Sequence, residues 1–173
     1  MFKDLVKKSR SYRGYDPGRK ITREELLDIV DCTRYAPSSV NRQPLRYYLA
    51  CEQEQLDKIQ PLTKWAKALP DLELPHPGKY PTAFVVICQE TEWSPNLTAF
   101  LRDVGIAAQT MILAAAEKGL GGIMIGSFDA KKIAEALELP DHLVPMLVVA
   151  LGKPDEKVVL TEAEPGEIGR AHV

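Results

Sequence analysis

Two arginines and a serine lie close together near the start of the chain, directly after a short amphipathic helix predicted over residues 2–9. Residues three apart share a face at a helix end or a tight turn. Arg10 and Arg13 can therefore reach one anion, with the hydroxyl of Ser11 between them. A phosphate suits such a clamp, and each charge-assisted hydrogen bond contributes about 1.5–3 kcal/mol. The spacing allows a phosphate site in this arginine clamp (Arg10, Ser11 and Arg13), with solvated arginines after a helix as the alternative.

A loop of small polar and turn-forming residues is predicted between a helix and a strand, over residues 37–44. Its hydroxyl and amide groups carry little bulk, which suits the polar edge of a heterocycle or a polyol chain. A loop that only makes a turn is the alternative. The candidate ligand-binding residues of this polar loop (residues 37–43) are Pro37, Ser38, Ser39, Asn41 and Gln43.

A third candidate site lies where a predicted strand over residues 122–126 ends. Met124 and Ile125 offer an apolar shelf at this strand end (residues 124–127). Gly126, followed by Ser127, allows backbone amides to approach a flat ligand closely. An ordinary junction between a strand and a turn is the alternative interpretation.

Motifs for metal binding or nucleophilic catalysis are absent from the sequence. The histidines His76, His142 and His172 are scattered without the spacing of metal ligands. Neither G-x-S-x-G nor the phosphate-binding G-x-x-x-x-G-K-[ST] occurs. We therefore predict no metal site and no catalytic side chain. If the protein is an enzyme, a cofactor carries the reactivity.

Length and charge restrict the possibilities further. The 173 residues predict a single domain over 1–173 with a substantial core, and the net charge of -2 gives no general field for nucleic acid or an anionic membrane. The 13 uncharged residues between Asp103 and Glu117 are too few to span a bilayer. Three widely spaced cysteines and the lack of a secretory apolar run near the first residues favour a reducing, cytoplasmic location. Of these, Cys51 and Cys88 are expected in the core.

The stretch 97–122 predicts a long central helix, because it is rich in Ala and Leu, contains no proline and reaches Gly119 where a left-handed cap is favourable. From 104 to 116 almost every side of this helix is apolar or small, which predicts a helix buried all round. Four alanines would let a second helix or a flat ligand come close, and a bulky charge at Ala108 is expected to disrupt a subunit interface. These alanines are Ala107, Ala108, Ala114 and Ala115.

Other elements are read from periodicity and capping signals. We predict helices over 22–35, 53–59 and 130–139, strands over 46–51, 83–89, 122–126 and 144–151, a surface flap over about 61–81 and a tail over 155–173. No G-x-G-x-x-G follows a strand, which disfavours a doubly wound dinucleotide fold and favours a layered α+β sandwich.

Five segments, in this order over about 145 residues, resemble the nitroreductase family of FMN-dependent oxidoreductases, in its compact branch. The segments are Arg-Ser-Tyr-Arg at 10–13, Ala-Pro-Ser-Ser-Val-Asn-Arg-Gln-Pro at 36–44, Asp-x-Gly-Ile-Ala-Ala-Gln at 103–109, Glu-Lys-Gly-Leu-Gly-Gly-x-Met-Ile-Gly-Ser at 117–127 and Ala-Leu-Gly-Lys-Pro at 150–154. The resemblance implies a nitroreductase-like layered sandwich, with a central, mostly antiparallel sheet flanked by helices. It also implies a homodimer with FMN at the subunit interface and the central helix in the dimer contact.

By this resemblance the arginine clamp contacts the phosphate and ribityl chain of FMN. Pro37, Ser38 and Ser39 of the polar loop reach FMN from the partner subunit, and Gln43 contacts the ring. The strand end lies beside the isoalloxazine, with backbone amides facing N5 and O4. Ser9 replaces a basic residue of many members, and the basic Lys-Arg pair that often ends the family's chains is absent, so Lys153 and Arg170 are candidate substitutes outside the predicted site.

The implied reaction has two half-reactions. NADH or NADPH reduces the flavin at N5, and a small electron-poor acceptor, such as a nitroaromatic or a quinone, then takes the electrons. The alternative is a flavin-binding storage or sensor protein without significant turnover. Trp65, in the predicted flap, is a candidate for lining the substrate space or else a packed core residue. Neither the physiological acceptor nor the choice between NADH and NADPH follows from the resemblance.

Overall fold

The computed structural model describes residues 1–66, 72–160 and 166 and the backbone of 171–172. Within them the α-helices are α1 (Phe2–Lys8), α2 (Arg23–Asp31), α3 (Gln53–Ile59), α4 (Leu101–Glu117) and α5 (Ala130–Ala136). The strands are β1 (Leu45–Ala50), β2 (Ala83–Glu90), β3 (Gly121–Ile125), β4 (Leu143–Gly152), β5 (Val159–Leu160) and β6 (Ala171–His172). Single 3₁₀ turns cover Cys32–Tyr35, Ser39–Asn41 and Gln60–Leu62.

Four strands form one sheet in the order β1-β2-β4-β3, and all of its neighbouring pairs are antiparallel. The fully apolar run of β2 lies in the interior of the sheet, where every residue of the strand is buried. A second, two-stranded ribbon joins β5 to β6. The predicted α+β class and its mostly antiparallel sheet are confirmed.

Alternating residues of the sheet face two separate helical layers. On β2, Val85 and Ile87 pack towards α2 and α4, whereas Phe84 and Val86 pack with residues of α3 and α5 on the opposite face. The period of two along a strand produces this division. The result is a three-layer sandwich in which β2 and β4 carry the core on both faces, as the sandwich prediction requires.

Helix α4 ends as predicted, because Gly119 adopts a left-handed conformation with φ of 72°. Ala107, Ala108 and Met111 pack in the core between α4 and the sheet. The prediction of a helix buried all round is wrong for the single chain, because Gly105 and Ile106 are exposed on the other side. One side of α4 packs in the core, and the other side is exposed but carries no charged residue between 104 and 116. Sequence pattern does not distinguish these two environments.

Local capping chemistry defines the other helix starts. Thr22 and Glu25 form the predicted capping box of α2, with each side chain accepting the other residue's backbone N–H. The Asp129 side chain accepts the backbone N–H of Lys132 and caps α5. Helix α2 ends at Asp31 and continues only as a 3₁₀ turn, so the prediction of helix to residue 35 is too long. No helix among the described residues has the length and apolarity to cross a membrane.

Described parts of the predicted flap are tied to the sandwich at both ends. Thr63 forms a bridge with Phe128, and the backbone N–H of His76 donates to the carbonyl of Arg13 over 3.3 Å. Trp65 packs against the core on the α3 and α5 side and donates to Thr63 Oγ1 over 2.9 Å. Trp65 is therefore a packed core residue, and residues 67–71 of the flap lie outside the described residues.

Candidate functional site

A cavity of about 500 Å³ brings the arginine clamp together with the strand end. Its floor comes from α4 and β3, and its rim comes from the end of α1 and the following segment. The lining residues are Val6, Ser9, Arg10, Ser11, Arg13, Gln109, Ile112, Gly122, Met124 and Val158. Two groups more than 100 positions apart in the sequence thus meet in one cavity, here called the clamp cavity.

The clamp is held beside β3 by backbone pairing. Ser11 forms a parallel bridge with Gly122, and the N–H of Tyr12 donates to the carbonyl of Gly122 over 3.2 Å. A side chain at Gly121 would overlap the ring of Tyr12, so glycine is required for this close approach. The pairing fixes the direction in which the clamp enters the cavity.

The two arginines of the clamp have different partners. Arg10 donates from Nε to the carbonyl of Ser9 over 2.7 Å and from Nη2 to that of Val6 over 3.0 Å, which anchors it to the end of α1. Arg13 donates from Nη1 to the carbonyl of Ser11 over 3.2 Å. Its buried Nε has no hydrogen-bond partner in the described part of the chain. A buried N–H without an acceptor is costly. The buried Oε2 of Glu156 likewise has no hydrogen-bond partner among the described residues.

Glu156 stabilises the backbone of the arginine clamp. Its Oε1 accepts the backbone N–H of Arg13 over 2.6 Å, and its side chain is only 8% exposed. Burial, with the Glu156 charge as a second contribution, raises the pKa of the fully buried Tyr15, whose hydroxyl donates to the carbonyl of Tyr12 over 2.7 Å. These contacts hold residues 12–15 in place without using the arginine side chains.

The strand end is divided between the two faces of the sheet. Met124 faces α4 and lines the clamp cavity, whereas the Ile125 side chain packs in the core on the α3 and α5 side. The apolar shelf therefore contains Met124 alone, and Ile125 is available only through its backbone. Gly126 is exposed, and a Cβ added to it would meet no other atom within 4 Å. The Ser127 carbonyl accepts the N–H of Lys64 over 2.8 Å.

The polar loop is organised around a buried carboxylate, Asp103 in the first turn of α4. Asp103 is 3% exposed and accepts the Ser38 hydroxyl over 2.7 Å, the Ser39 N–H over 2.9 Å and the Ser39 hydroxyl over 2.6 Å. Burial, the largest single effect, acts to raise the pKa of Asp103, but the hydrogen bonds from the two serines together hold it below its usual value. The site prediction omitted Asp103, although a carboxylate at the start of an apolar helix was the signal that could have identified it.

The loop backbone itself is strained. Val40, Asn41 and Gln43 have φ values of 48°, 53° and 51°, in the left-handed region that disfavours side chains. Val40 is β-branched and 92% exposed, so its conformation has no packing inside the protomer to explain it. Strained backbone of this kind concentrates at ligand-binding and functional sites. The Ser38 hydroxyl helps to hold the strain by accepting the N–H of Gln43 over 3.0 Å.

One chain does not gather all three predicted groups. Pro37, Ser38 and Gln43 line a separate cavity of about 200 Å³ with Asp103 and Arg46, here called the loop cavity. The two cavities meet α4 at successive levels, with Asp103 and Ala107 lining the loop cavity and Gln109 and Ile112 lining the clamp cavity. The structure thus joins the clamp to Met124 and leaves the polar loop at a different opening.

Of the two predicted substitutes for a further basic contact, Lys153 is described by the structure and does not line the clamp cavity. Lys153 is exposed and donates from Nζ to the carbonyl of Gly119 over 3.2 Å, at the end of α4. Arg170 lies outside the described residues. Among the described residues, no three His, Cys, Asp or Glu side chains are placed to hold a metal ion.

Comparison with known proteins identifies the family. The nitroreductase family model matches residues 6–153. A Methanothermobacter thermautotrophicus protein named as an NADH dehydrogenase/NAD(P)H nitroreductase is 30% identical over 159 residues, covering 88% of this chain and 77% of that protein. An FMN reductase [NAD(P)H] of Bacillus subtilis is 27% identical over 160 residues, covering 86% of this chain and 64% of that protein.

Solved structures show the same fold. A nitroreductase family protein from Clostridium difficile 630 superposes with a TM-score of 0.71 at 26% identity, covering 89% of this chain and 84% of that chain. A nitroreductase-type protein from Exiguobacterium sibiricum 255-15, solved in complex with FMN, has a TM-score of 0.73 at 23% identity, covering 90% and 89% of the two chains. The family match spans the arginine clamp, the polar loop and the strand end alike, and the chain therefore belongs to the nitroreductase family.

Proposed function

We propose that the protein is an FMN-dependent oxidoreductase that uses NADH or NADPH as its reductant. The observation that carries the proposal is the clamp cavity, where Arg10, Ser11 and Arg13 lie beside the apolar side chain of Met124. This combination fits a molecule with an anionic group at one end and a flat apolar ring at the other. Family membership and the FMN-bound protein of the same fold support FMN as that molecule.

Each part of the cavity has a role in holding the cofactor. Arg10, Ser11 and Arg13 bind the phosphate and the adjoining ribityl chain through charge-assisted hydrogen bonds. Met124 packs against the ring, and the backbone of 125–127 provides hydrogen bonds to its polar edge. When bound, FMN would supply two-electron redox chemistry between NAD(P)H and an electron-poor acceptor such as a nitroaromatic or a quinone. The side chains bind, orient and exclude water, and none is assigned as an acid or base.

The site is completed by a second copy of the chain. In one chain the polar loop lines a cavity separate from the clamp cavity, and its strained, exposed backbone suits contact with a partner. Two uncharged residues of α4, Gly105 and Ile106, are exposed. We propose a homodimer with FMN at the interface. Pro37, Ser38, Ser39, Asn41 and Gln43 would then reach FMN from the partner. The cytoplasmic location stays a prediction.

An anaerobic reduction experiment tests the proposed function. The protein is reconstituted with FMN, and unbound FMN is removed. It is then mixed with NADH or NADPH while the absorption of the oxidised flavin at about 450 nm is followed. Rapid bleaching, reversed by a quinone or nitroaromatic acceptor, is the expected result. A protein that takes up no FMN would refute the proposal. A yellow protein that keeps its colour with both reductants would instead support flavin storage or sensing.

Replacement of the clamp provides the matched variant. Arg13→Ala removes one guanidinium group of the clamp cavity but leaves the backbone N–H that Glu156 accepts. We expect at least a tenfold loss of FMN affinity, about 1.4 kcal/mol, with little change in the midpoint of thermal unfolding without FMN. Arg23→Ala, at the exposed start of α2, is the control and should bind FMN like the unmodified protein. If Arg13→Ala did not fold, Arg13 would be required for folding, and its assignment to FMN binding would be wrong.

A further inference from the structure

Two arginines stack on one tryptophan beside the polar loop. The guanidinium carbons of Arg42 and Arg46 lie 5.4 Å and 5.0 Å from the centre of the Trp93 ring, within cation–π distance. Arg42 belongs to the polar loop and Arg46 to β1, whereas Trp93 comes from the segment between β2 and α4. The tryptophan is 40% exposed, so this arginine–tryptophan cluster (Arg42, Arg46 and Trp93) faces solvent.

Hydrogen bonds hold the cluster in place. Arg42 donates from Nε to Ser94 Oγ over 3.2 Å and from Nη2 to the carbonyl of Trp93. The fully buried Gln89 donates to the carbonyl of Ser94 over 2.6 Å, which anchors this segment to β2. Arg46 donates from Nη1 to the carbonyl of Leu45 over 2.9 Å. These contacts leave the other N–H groups of both guanidinium groups available to an anion.

The local charge balance favours an anion at the cluster. Within the described parts of the chain, neither Arg42 nor Arg46 forms an ion pair with a carboxylate, whereas Arg34 in the loop cavity pairs with Asp31 over 3.3 Å. Three carboxylates in neighbouring segments lie close to other polar groups. Glu90 and Glu92 lie 3.6 Å and 3.5 Å from the two ring nitrogens of His142, and Asp103 accepts hydrogen bonds from the serines of the polar loop.

The position of Arg46 connects this positive charge to the proposed active site. Arg46 lines the loop cavity together with Pro37, Ser38 and Gln43, the residues that would reach FMN from the partner subunit. A reductant stacked on the flavin must extend its remaining parts over the surface around that loop. A phosphate on those parts would meet the cluster, because guanidinium groups match phosphate oxygens in charge and geometry.

We propose that Arg42 and Arg46, held by Trp93, bind the 2′-phosphate of NADPH and make NADPH the preferred reductant. The inference rests on the proposed function, because it requires a nicotinamide coenzyme at the flavin. NADH lacks the 2′-phosphate and gains nothing from the two arginines. The preference is therefore a difference in charge-assisted hydrogen bonds at one end of the coenzyme, with the same nicotinamide chemistry at the other.

Steady-state kinetics with both reductants tests this assignment. The ratio of kcat/KM for NADPH to that for NADH is measured with a quinone acceptor for the unmodified protein, Arg42→Gln, Arg46→Gln and the double variant. We expect the unmodified protein to favour NADPH at least tenfold and the double variant to lose most of that preference through KM. Turnover with NADH should change less than threefold. Arg23→Gln, which removes an exposed arginine outside the cluster, should keep the original ratio.

Several outcomes would overturn the inference while leaving the proposed function intact: an unmodified protein without preference, a double variant with an unchanged ratio, or equal losses with both reductants. Calorimetric titration with adenosine 2′,5′-bisphosphate and adenosine 5′-monophosphate gives a readout that does not need turnover. We expect tighter binding of the bisphosphate, abolished in the double variant and weakened by added salt. Equal binding of the two nucleotides would also overturn it. Failure of both coenzymes to reduce the flavin would instead count against the proposed function.

Discussion

Met124 and Ile125 are adjacent in β3, yet their side chains lie on opposite faces of the sheet. Only Met124 lines the clamp cavity, where it meets an arginine pair more than 100 positions earlier in the chain. At the scale of single residues, the site depends on the face of the sheet to which each side chain points. Successive residues of a strand point to opposite faces. The next position, Gly126, has no side chain, and its contribution can be tested separately from folding.

Gly126→Ala is expected to weaken FMN binding without harming the fold. A methyl group at this position would meet no atom of the chain within 4 Å, and the glycine does not have a positive φ. Its effect on the free energy of unfolding should therefore stay within about 1 kcal/mol. If the ring of FMN lies against the backbone here, the methyl group must push it away. We expect at least a tenfold rise in the dissociation constant, measured by flavin fluorescence. Unchanged affinity would remove Gly126 from the site.

Helix α4 and the polar loop form one unit because of Asp103. In place of water, the buried carboxylate accepts hydrogen bonds from Ser38 and Ser39. These bonds attach the strained loop to the start of α4. The exchange is favourable only while the carboxylate is ionised, since a protonated acid cannot accept at both oxygens in the same way. The loop geometry is thus coupled to the charge of one buried residue.

Asp103→Asn should loosen the polar loop and destabilise the protein. An amide retains one acceptor oxygen and places an N–H₂ group where the other oxygen accepts a serine hydroxyl, so we expect a loss of about 1–3 kcal/mol in the free energy of unfolding. FMN affinity should fall as well. Asp57→Asn, at an exposed position on α3, is the control and should leave both quantities unchanged. Both are measured by urea unfolding and flavin titration. Unchanged stability in Asp103→Asn would show that the serines do not depend on the charge.

The pKa of Asp103 adds a pH dependence whose sign is defined. Its pKa is lowered in the folded protein, so its contribution to stability is fully present above the unfolded value of about 3.9 and is lost as the pH falls through the folded value. The stability difference between the unmodified protein and Asp103→Asn should therefore be constant near neutral pH and shrink below about pH 4. A difference that grew on acidification would contradict this assignment.

At the scale of the whole molecule, the proposed site requires two copies of the chain. The clamp cavity and the loop cavity have separate linings, and α4 exposes the uncharged residues Gly105 and Ile106 beyond the core. A second copy related by a two-fold axis would cover this face and bring each polar loop towards the other chain's cavity. Assembly and cofactor binding would then depend on the same surface.

Ile106→Glu is expected to convert the proposed homodimer into a folded monomer with weak FMN binding. Ile106 is 37% exposed in the protomer, so the new carboxylate is solvated in the monomer but desolvated in the dimer contact. Light scattering coupled to size exclusion gives the mass, and circular dichroism verifies the fold. Lys131→Glu, on α5 across the sheet, is the control and should remain dimeric. A dimeric Ile106→Glu variant would place the interface elsewhere.

Ala108 cannot serve for that test, contrary to the expectation from the helix pattern. It is fully buried in the core between α4 and the sheet, so a charge there would oppose folding of the protomer before assembly. Sequence pattern indicated correctly that the helix is apolar on several sides. It could not show which alanines face the sheet and which positions face outward.

Local sequence determined the elements of this protein. The capping box at Thr22, the cap at Asp129 and the left-handed Gly119 act through hydrogen bonds and backbone preferences within a few residues, so the starts of α2 and α5 and the end of α4 were predictable. The start of α4 at Leu101, which has no side-chain cap, lies four residues after the predicted one. The order of the five family segments likewise identified the family before any contact was known. Tertiary structure alone decided which groups meet. The bonds from Asp103 to Ser38 and Ser39 span 65 and 64 positions, and the strand alternation that buries Ile125 has meaning only once the sheet lies between two helical layers. Such contacts depend on packing between distant segments, which no local pattern encodes.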